Sequence, residues 1–475
     1  MDSILETGNN KTKCQKFTPE NIVETMLDLA GYNTGLIGKT VLENSFGTGN
    51  ILKAVVEKYI ESAIDEGVDK KAISRGLSED IYGVELDKEL YEGCLADLNA
   101  IVAKYHLPSV RWKLFNDNAL TFKFDTKFDY LIGNPPYISY KEMDKSTRQA
   151  LQKTYKTCQK GKFDYCYAFI ELGISLLKEK GKMVQLIPNN LYKNVFAQEL
   201  RDLLSEHILC VYDYPNQKLF DKTLTSVSIF LYDAGTTLNY LTYENKTTRK
   251  TSRIDRSILK DKWVFEKNNP PLKTPVRFGD RFHASIAIAT LCNKAYLIDQ
   301  HSIVEEKLEK EVIHKAASPK TLRYGKSNHI IFPYRYENGL LSRYSEDEFE
   351  NLFPNVVRHF KEFEKDLNDR DSDKSAAWFE YGRSQALAHL NKEKILISTI
   401  ITNKVEAYKI DAETIPYSGI FITLKDNNST LDDAIDILKS KSFIDYVRRI
   451  GISISGQSLR ITCKDINDFV YSGGM

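Results

Sequence analysis

Between residues 20 and 235, apolar runs of strand length alternate with stretches of helical periodicity. This rhythm restricts the fold more than any other property of the chain. Thr18-Pro19-Glu20 caps a helix whose apolar face is Ile22, Val23, Met26, Leu27 and Leu29, with Gly31 after it. A strand is predicted around Thr40-Val41-Leu42-Glu43, then a glycine turn and a helix from Ile51 through Ile60. Ile81-Tyr82-Gly83-Val84 gives a second strand ending in Glu85, followed by a helix through Leu98. Val110, Trp112 and Leu114 suggest a third strand and Tyr130-Leu131-Ile132 a fourth. A helix near residues 165–177 precedes a fifth strand over 182–187. Strands spaced by helices imply an α/β fold, a parallel, doubly wound, Rossmann-like sheet with its ligand site outside the strands' carboxyl ends. Every polar motif in this half sits at such an end.

The most specific motif follows the fourth strand: Gly133, then Asn134, Pro135, Pro136 and Tyr137. Two adjacent prolines fix φ twice and remove two donors, so the chain leaves the strand stiff and extended. The Pro135 carbonyl is then released from the ladder. An asparagine amide oxygen, that carbonyl and an aromatic face suit a flat heterocycle bearing an exocyclic amine. Taken alone, Pro-Pro-Tyr is equally a proline-rich turn; the rest of the chain decides between the two.

After the first strand stands Glu43-Asn44-Ser45-Phe46-Gly47-Thr48-Gly49. A dinucleotide fingerprint needs a third glycine where Leu52 stands, and there is no Gly-Lys-Ser/Thr phosphate loop. Backbone approaching a ligand closely without a pyrophosphate cradle fits a nucleoside with a small zwitterionic tail. Glu85 is placed to accept ribose hydroxyls, and Asp117, within Asn116-Asp117-Asn118, an adenine amine. Each acid alone could be a helix cap; three at successive strand ends are better explained by one shared ligand.

With 475 residues and 42% hydrophobic content, the chain can bury a large core split into two or three domains. Seven scattered cysteines form no Cys-x-x-Cys pair and no zinc-spaced cluster, so reduced thiols and no metal are expected. The amino terminus lacks an apolar signal core and no run approaches a membrane span, against secretion and membrane insertion. Regular alternation stops after Asp233-Ala234-Gly235, which sets an expected boundary near 240, dividing 1–240 from 241–475. Over residues 246–281, eleven Lys/Arg face four Asp/Glu, an excess of seven in a chain of net charge +1. That stretch is either a phosphate-facing stripe or a solvated linker.

The order of Phe17-Thr18-Pro19, Glu43 to Gly49, Val84-Glu85-Leu86-Asp87, Asn116-Asp117-Asn118 and Asn134-Pro135-Pro136-Tyr137 resembles the amino-methylating DNA methyltransferases. It is most similar to the TaqI-like and Eco57I-like N6-adenine enzymes, with a catalytic domain first and a target-recognition domain last. The resemblance implies S-adenosyl-L-methionine as cofactor. It implies Thr18, Glu43, Ser45 and Gly47, with Gly49 in the same turn, around the methionine and ribose. Glu85 falls on the ribose, and Asp117 and Asn118 on the cofactor's adenine. Asn134 and Pro135 would hold the target amine, with Pro136 and Tyr137 completing the catalytic motif. Phe220 falls where an aromatic stacks on the extruded base opposite Tyr137, a core phenylalanine being the other reading. The sequence departs from the family at Asn44, where proline is usual, and in an insert over 61–79.

In the second half, Phe278-Gly279-Asp280, residues 294–298, 378–385 and 394–397 resemble parts of a TaqI-type specificity domain, a mixed α+β recognition domain over 241–475. Aromatics interleaved with Arg383 and Gln385 there suit DNA groove contacts and wedging, buried packing being equally possible for Trp378 and Tyr381. The expected function is site-specific methylation of N6 of a flipped adenine in double-stranded DNA. The setting is a restriction-modification system of a bacterial or archaeal cytoplasm, at the nucleoid, by a monomer with a separate cognate endonuclease possible. No fused nuclease is expected, because the catalytic fold starts within the first twenty residues. Rival readings are methylation of cytosine N4, an RNA base or a protein glutamine, and a non-catalytic DNA-binding specificity subunit.

Overall fold

The computed structural model describes residues 18–215, 226–265, 274–426, 428–455 and 457–473. Phe220 and its expected stacking role lie outside them. The chain falls into two compact units, Met1–Lys267 and Asn268–Met475.

The first unit is built on a nine-stranded sheet of order β3-β2-β1-β4-β5-β7-β6-β8-β9. Its strands are β1 Val41–Glu43, β2 Ile81–Glu85, β3 Lys113–Asn116, β4 Phe128–Gly133, β5 Leu177–Pro188, β6 Ile208–Tyr214, β7 Val227–Asp233, β8 Tyr240–Asn245 and β9 Lys250–Asp255. Strands β3 to β5 pair in parallel, as alternation with helices demands. Strand β7 breaks the pattern, pairing antiparallel with both β5 and β6.

Side-chain alternation explains why both faces are covered. On neighbouring strands Leu131 and Met183 point into one apolar cluster, whereas Ile132 and Val184 point into another. The second cluster is closed by helices α1 Glu20–Ala30, α2 Asn50–Asp65, α3 Lys70–Asp80 and α4 Lys88–Lys104. Helices α5 Lys145–Thr154, α6 Cys166–Leu176 and α7 Gln198–Leu204 contribute to the first. This three-layer arrangement is the expected doubly wound, Rossmann-like α/β fold.

Local chemistry accounts for the boundaries. Gly31 ends α1 in the left-handed conformation, φ +67°. The expected cap by Thr18 does not form: Pro19 is the N-cap and α1 has no side-chain cap bond. The insert over 61–79 prolongs α2 and supplies α3. Asp80, the last residue of α3, accepts hydrogen bonds from Tyr59 Oη at 2.5 Å and Gly38 N at 2.7 Å, pinning the insert to the fold.

The expected boundary near 240 moves later. Strands β8 and β9 extend the same sheet, and Trp263 and Phe265 pack on Tyr192. Continued pairing and this aromatic cluster hold residues 240–265 in the first unit. Part of the basic stretch is therefore structural. Arg256 donates to the carbonyls of Leu238, Ser205 and Ile208. Lys246 pairs with Glu244 at 2.9 Å, and Arg277 pairs with Asp468.

The second unit is α+β. One antiparallel sheet joins Phe282–Ile286, Ile420–Leu424, Lys394–Ile397 and Ala407–Ile410. A second, mixed sheet joins Leu297–Ile298, Asn328–Ile331, Ile313–Ala317 and Ile415–Pro416, the last pair parallel. For residues 378–385, packing prevails at Phe379 and Tyr381, which are 0% and 1% exposed. Tyr381 Oη donates to the Ile331 carbonyl at 2.8 Å, and Trp378 packs edge-on against Phe379. Arg383 is held by Asp371 at 3.1 Å and Asp373 at 3.3 Å. No described helix is long and apolar enough to cross a membrane.

Candidate functional site

Parallel strands end together, so the polar residues just beyond β1, β2, β3 and β4 converge. They line one cavity of about 200 Å³ that contains Thr18, Glu43, Ser45, Gly47, Glu85, Asp117, Asn118, Asn134, Pro135, Pro136 and Tyr137. Eleven of the twelve sequence-predicted residues that the structure describes are thus brought together.

The exception is Gly49. It lies behind the turn, at φ +74° as N-cap of α2, and a Cβ there would stand 2.2 Å from Cys94 Sγ. Gly49 serves the left-handed turn and the close approach of α4 instead of lining the cavity. Gly47 differs: at φ +54° an added Cβ would meet nothing within 4 Å. Backbone is left bare toward the cavity there.

Glu85 ties two strand ends together. Its Oε2 accepts the Gly47 N–H and its Oε1 the Asp87 N–H, both at 2.8 Å. Each oxygen keeps a further lone pair for a ligand. Burial pushes the Glu85 carboxyl above its usual range, opposed by these two N–H donors. Glu43 lies deeper, 3% exposed, and burial followed by the neighbouring Glu85 charge raises it well above the usual range. Glu43 Oε2 and both amide atoms of Asn44 are buried with no hydrogen-bond partner among the described residues. Buried polar groups left this way call for a ligand carrying both donors and acceptors.

The loop after β3 is self-supporting. Asn116 Nδ2 donates to the carbonyls of Glu85 at 2.9 Å and Leu86 at 3.0 Å, and Asn118 Oδ1 accepts the Leu120 N–H at 3.0 Å. Asp117 is left exposed at the rim.

The motif after β4 is fixed on both sides. Asn134 Nδ2 donates to Thr18 Oγ1 at 3.1 Å, while Ser45 Oγ donates to the Asn134 carbonyl at 3.4 Å. With its nitrogen turned to Thr18, the carboxamide directs Oδ1 the other way. The Thr18 carbonyl accepts from Asn50 Nδ2 at 3.2 Å, so the threonine is itself braced. Tyr137 Oη donates to the Leu186 carbonyl on β5 at 2.8 Å, which pins the ring. Its phenol is raised well above the ordinary range by burial.

Sequence reasoning missed Asn44, Leu86, Ile138, Tyr165 and Phe169, which also line the cavity. Tyr165 N donates to the Ile138 carbonyl at 3.0 Å, docking the start of α6 on the motif. The available signal was the spacing of Tyr165 and Phe169, one helical turn apart. No metal-binding group of His, Cys, Asp and Glu occurs among the described residues.

Residues 79–220 match the family described as Eco57I restriction-modification methylase, just under a third of the chain. The Type II methyltransferase M.BstVI of Geobacillus stearothermophilus is 23% identical, over 94% of this chain and 87% of that protein. The Type II restriction enzyme and methyltransferase RM.Eco57I of Escherichia coli is 25% identical, over 60% of this chain and 33% of its own length. Among solved structures, the Type IIL restriction-modification enzyme MmeI in complex with DNA matches with TM-score 0.58 and 13% identity, over 94% of this chain and 64% of that one. A nuclease-deletion mutant of the Type ISP restriction-modification enzyme LlaGI, in complex with a DNA substrate mimic, matches with TM-score 0.53 and 12% identity, over 92% and 52%. These structural likenesses show a shared fold. The methyl donor of a methylase domain of this kind is S-adenosyl-L-methionine. The unpartnered Glu43 Oε2, the free lone pairs of Glu85 and the bare backbone at Gly47 fit its ammonium, ribose and methionine chain.

Proposed function

We propose that this chain, which carries an Eco57I-like restriction-modification methylase domain, methylates the N6 amine of an adenine turned out of duplex DNA. The observation that carries the reading is the placement of Asn134, braced by Thr18 and Ser45, in one cavity with Glu43, Glu85 and Asp117. S-adenosyl-L-methionine supplies an electrophilic methyl group when bound. Glu85 and Glu43 hold the ribose and ammonium, and Asp117 and Asn118 the cofactor's adenine.

An adenine amine is a poor nucleophile because its lone pair is delocalised into the ring. Asn134 Oδ1 and the Pro135 carbonyl accept its two hydrogens, which favours a pyramidal nitrogen and gathers the lone pair for attack. Positioning then matters more than a strong base. The amine lies inside the base stack of a duplex, so the nucleotide is extruded, and the pinned ring of Tyr137 offsets part of the lost stacking, with Phe220 as its partner. The second unit supplies the contacts that choose the sequence. The setting is a modification methylase in the cytoplasm of a bacterial or archaeal cell, acting as a monomer and protecting DNA against a separate endonuclease.

Incubation of the purified chain with labelled S-adenosyl-L-methionine and unmethylated DNA, followed by nucleoside mass spectrometry, tests this. N6-methyladenine is expected. N4-methylcytosine redirects the same pocket to the other base, and label on RNA or protein but not on DNA rejects the proposal.

A further inference from the structure

The second unit contains an open groove of about 570 Å³, lined by residues outside every motif read above. One wall is the short helix Pro319–Arg323 with Tyr324, and the other is the segment 398–406 that follows strand Lys394–Ile397. The helix is set by Ser318 and Thr321, whose side chains and backbones cap each other, so its outer face is presented rigidly. The facing segment is fixed by pairing of Ile400 and Ile401 with Arg460 and Leu459, and by a 3.0 Å hydrogen bond between the hydroxyls of Thr402 and Ser458.

The lining carries Lys320, Arg323 and Lys404 against a single carboxylate, Glu406. Glu406 lies 3.9 Å from Arg323 Nε and 3.5 Å from Lys404 Nζ, bracing both cations without neutralising the set. Lys320 has no ion pair among the described residues. Lys326, just past Tyr324, and Arg460, opposite Ile400 in the strand register, are also exposed. Three exposed cations and one acid thus line the groove in a chain of net charge +1. Tyr324 and Ile400 stand 63% and 41% exposed among them, beside the exposed amide of Asn403. Buried ion pairing would waste such a set. Cations spaced along two rigid walls, with flat and branched apolar groups and an amide between them, complement a phosphate backbone with base edges alongside.

We propose that this groove is a contact surface for duplex DNA. Lys320, Arg323 and Lys404 engage phosphates, and Asn403, with Tyr324 and Ile400, meets the groove edge. The inference rests on the methyltransferase reading and locates a part of its DNA interface.

The full-length chain is titrated with a fluorescein-labelled mixed-sequence duplex across a salt series. The triple variant Lys320→Glu/Arg323→Glu/Lys404→Glu should bind at least about tenfold more weakly at low salt, and its log–log salt slope should flatten by roughly two to three. A neutral set, Lys320→Gln/Arg323→Gln/Lys404→Gln, guards against misfolding: its melting temperature should be that of wild type and its slope should flatten likewise. Charge reversal at Lys361, Lys365 and Lys374, exposed lysines of the same unit outside the groove, should change little. Wild-type affinity and slope in both groove triples, or equal losses in the control, overturn the groove while leaving DNA methylation intact. A wild-type chain that neither binds duplex nor methylates it overturns both. Preference of the groove for RNA or an acidic polypeptide over duplex overturns the assignment to DNA.

Discussion

The end of the parallel sheet in the first unit and the surface of the second unit place polar side chains by different rules. In the first, β1 to β4 run in one direction, so the residue after each strand has no choice but to meet the others at one edge. Glu43, Glu85, Asp117 and Asn134 come from positions spread over 92 residues and share a cavity because the strands share a direction. In the second unit most strand pairs are antiparallel and end on opposite sides, so the ladder does little to gather their flanks. The aromatic and cationic residues that stand out in its sequence, Tyr381 and Arg383, are consumed by a backbone carbonyl and two aspartates. The cations of its groove, Lys320, Arg323 and Lys404, come from segments outside the motifs read from the sequence. Topology gathers the cavity edge; an exposed surface has to be built residue by residue.

This contrast can be broken. The largest effect is expected from Asn134→Ala, which should reduce methyl transfer by about a hundred- to a thousandfold, the size of losing one oriented hydrogen-bond group in a reacting site. Cofactor affinity by calorimetry should stay near wild type; near-normal turnover would detach the motif from the chemistry. Next comes Glu85→Ala, with a loss of roughly 1–3 kcal/mol in S-adenosyl-L-methionine binding through charge-assisted bonds to ribose. Unchanged calorimetric affinity would remove Glu85 from the cofactor.

Gly49→Ala should destabilise the first unit by about 1–3 kcal/mol, since the new methyl meets Cys94 Sγ in a left-handed turn. Denaturant melts of the double variant with Cys94→Ala should recover the steric share and leave the backbone share. A full loss in the double variant would mean that Cys94 is not what crowds the position.

Glu43 offers a pH test. Its folded carboxyl is held well above the usual range, so between its unfolded value, near 4.5, and that higher value the native state keeps a proton that the unfolded chain has released. Stability of the cofactor-free protein therefore falls as pH rises through that window. Glu43→Gln should remove this dependence and raise the melting temperature at neutral pH, while weakening cofactor binding. A parallel pH–stability curve in wild type and variant would refute the assignment. The smallest effect belongs to Arg383→Ala, which should leave sequence preference untouched and shift stability by under about 1 kcal/mol, as for an exposed ion pair. A change of preferred base would show that the recognition surface was legible after all.

What the sequence disclosed follows the same division. The strands around Leu42, Val84, Leu131 and Val184 were readable because apolar runs between helices have few alternatives, and the acids after them inherited the prediction. Strand β7 was not marked as antiparallel, since direction leaves no trace in a strand's own residues. The boundary near 240 was misjudged because pairing of β8 with β6 depends on distant partners that local polarity does not reveal. Tyr165 and Phe169 were missed because only the docking of α6 on Ile138 brings them to the cavity. Thr18 was read as a helix cap and a cofactor contact; its bond to Asn134 spans 116 residues, beyond any local pattern.

The bridge from Glu85 to the Gly47 N–H makes two recognition tasks a single mechanical part. Whatever presses on the carboxylate also sets the pitch of the glycine turn, so on the proposed assignment the sugar and the amino-acid arm of the cofactor would load opposite ends of one lever. Adenosine and methionine bound together should consequently each tighten the other, beyond the affinity either shows by itself. Neither fragment alone loads both ends.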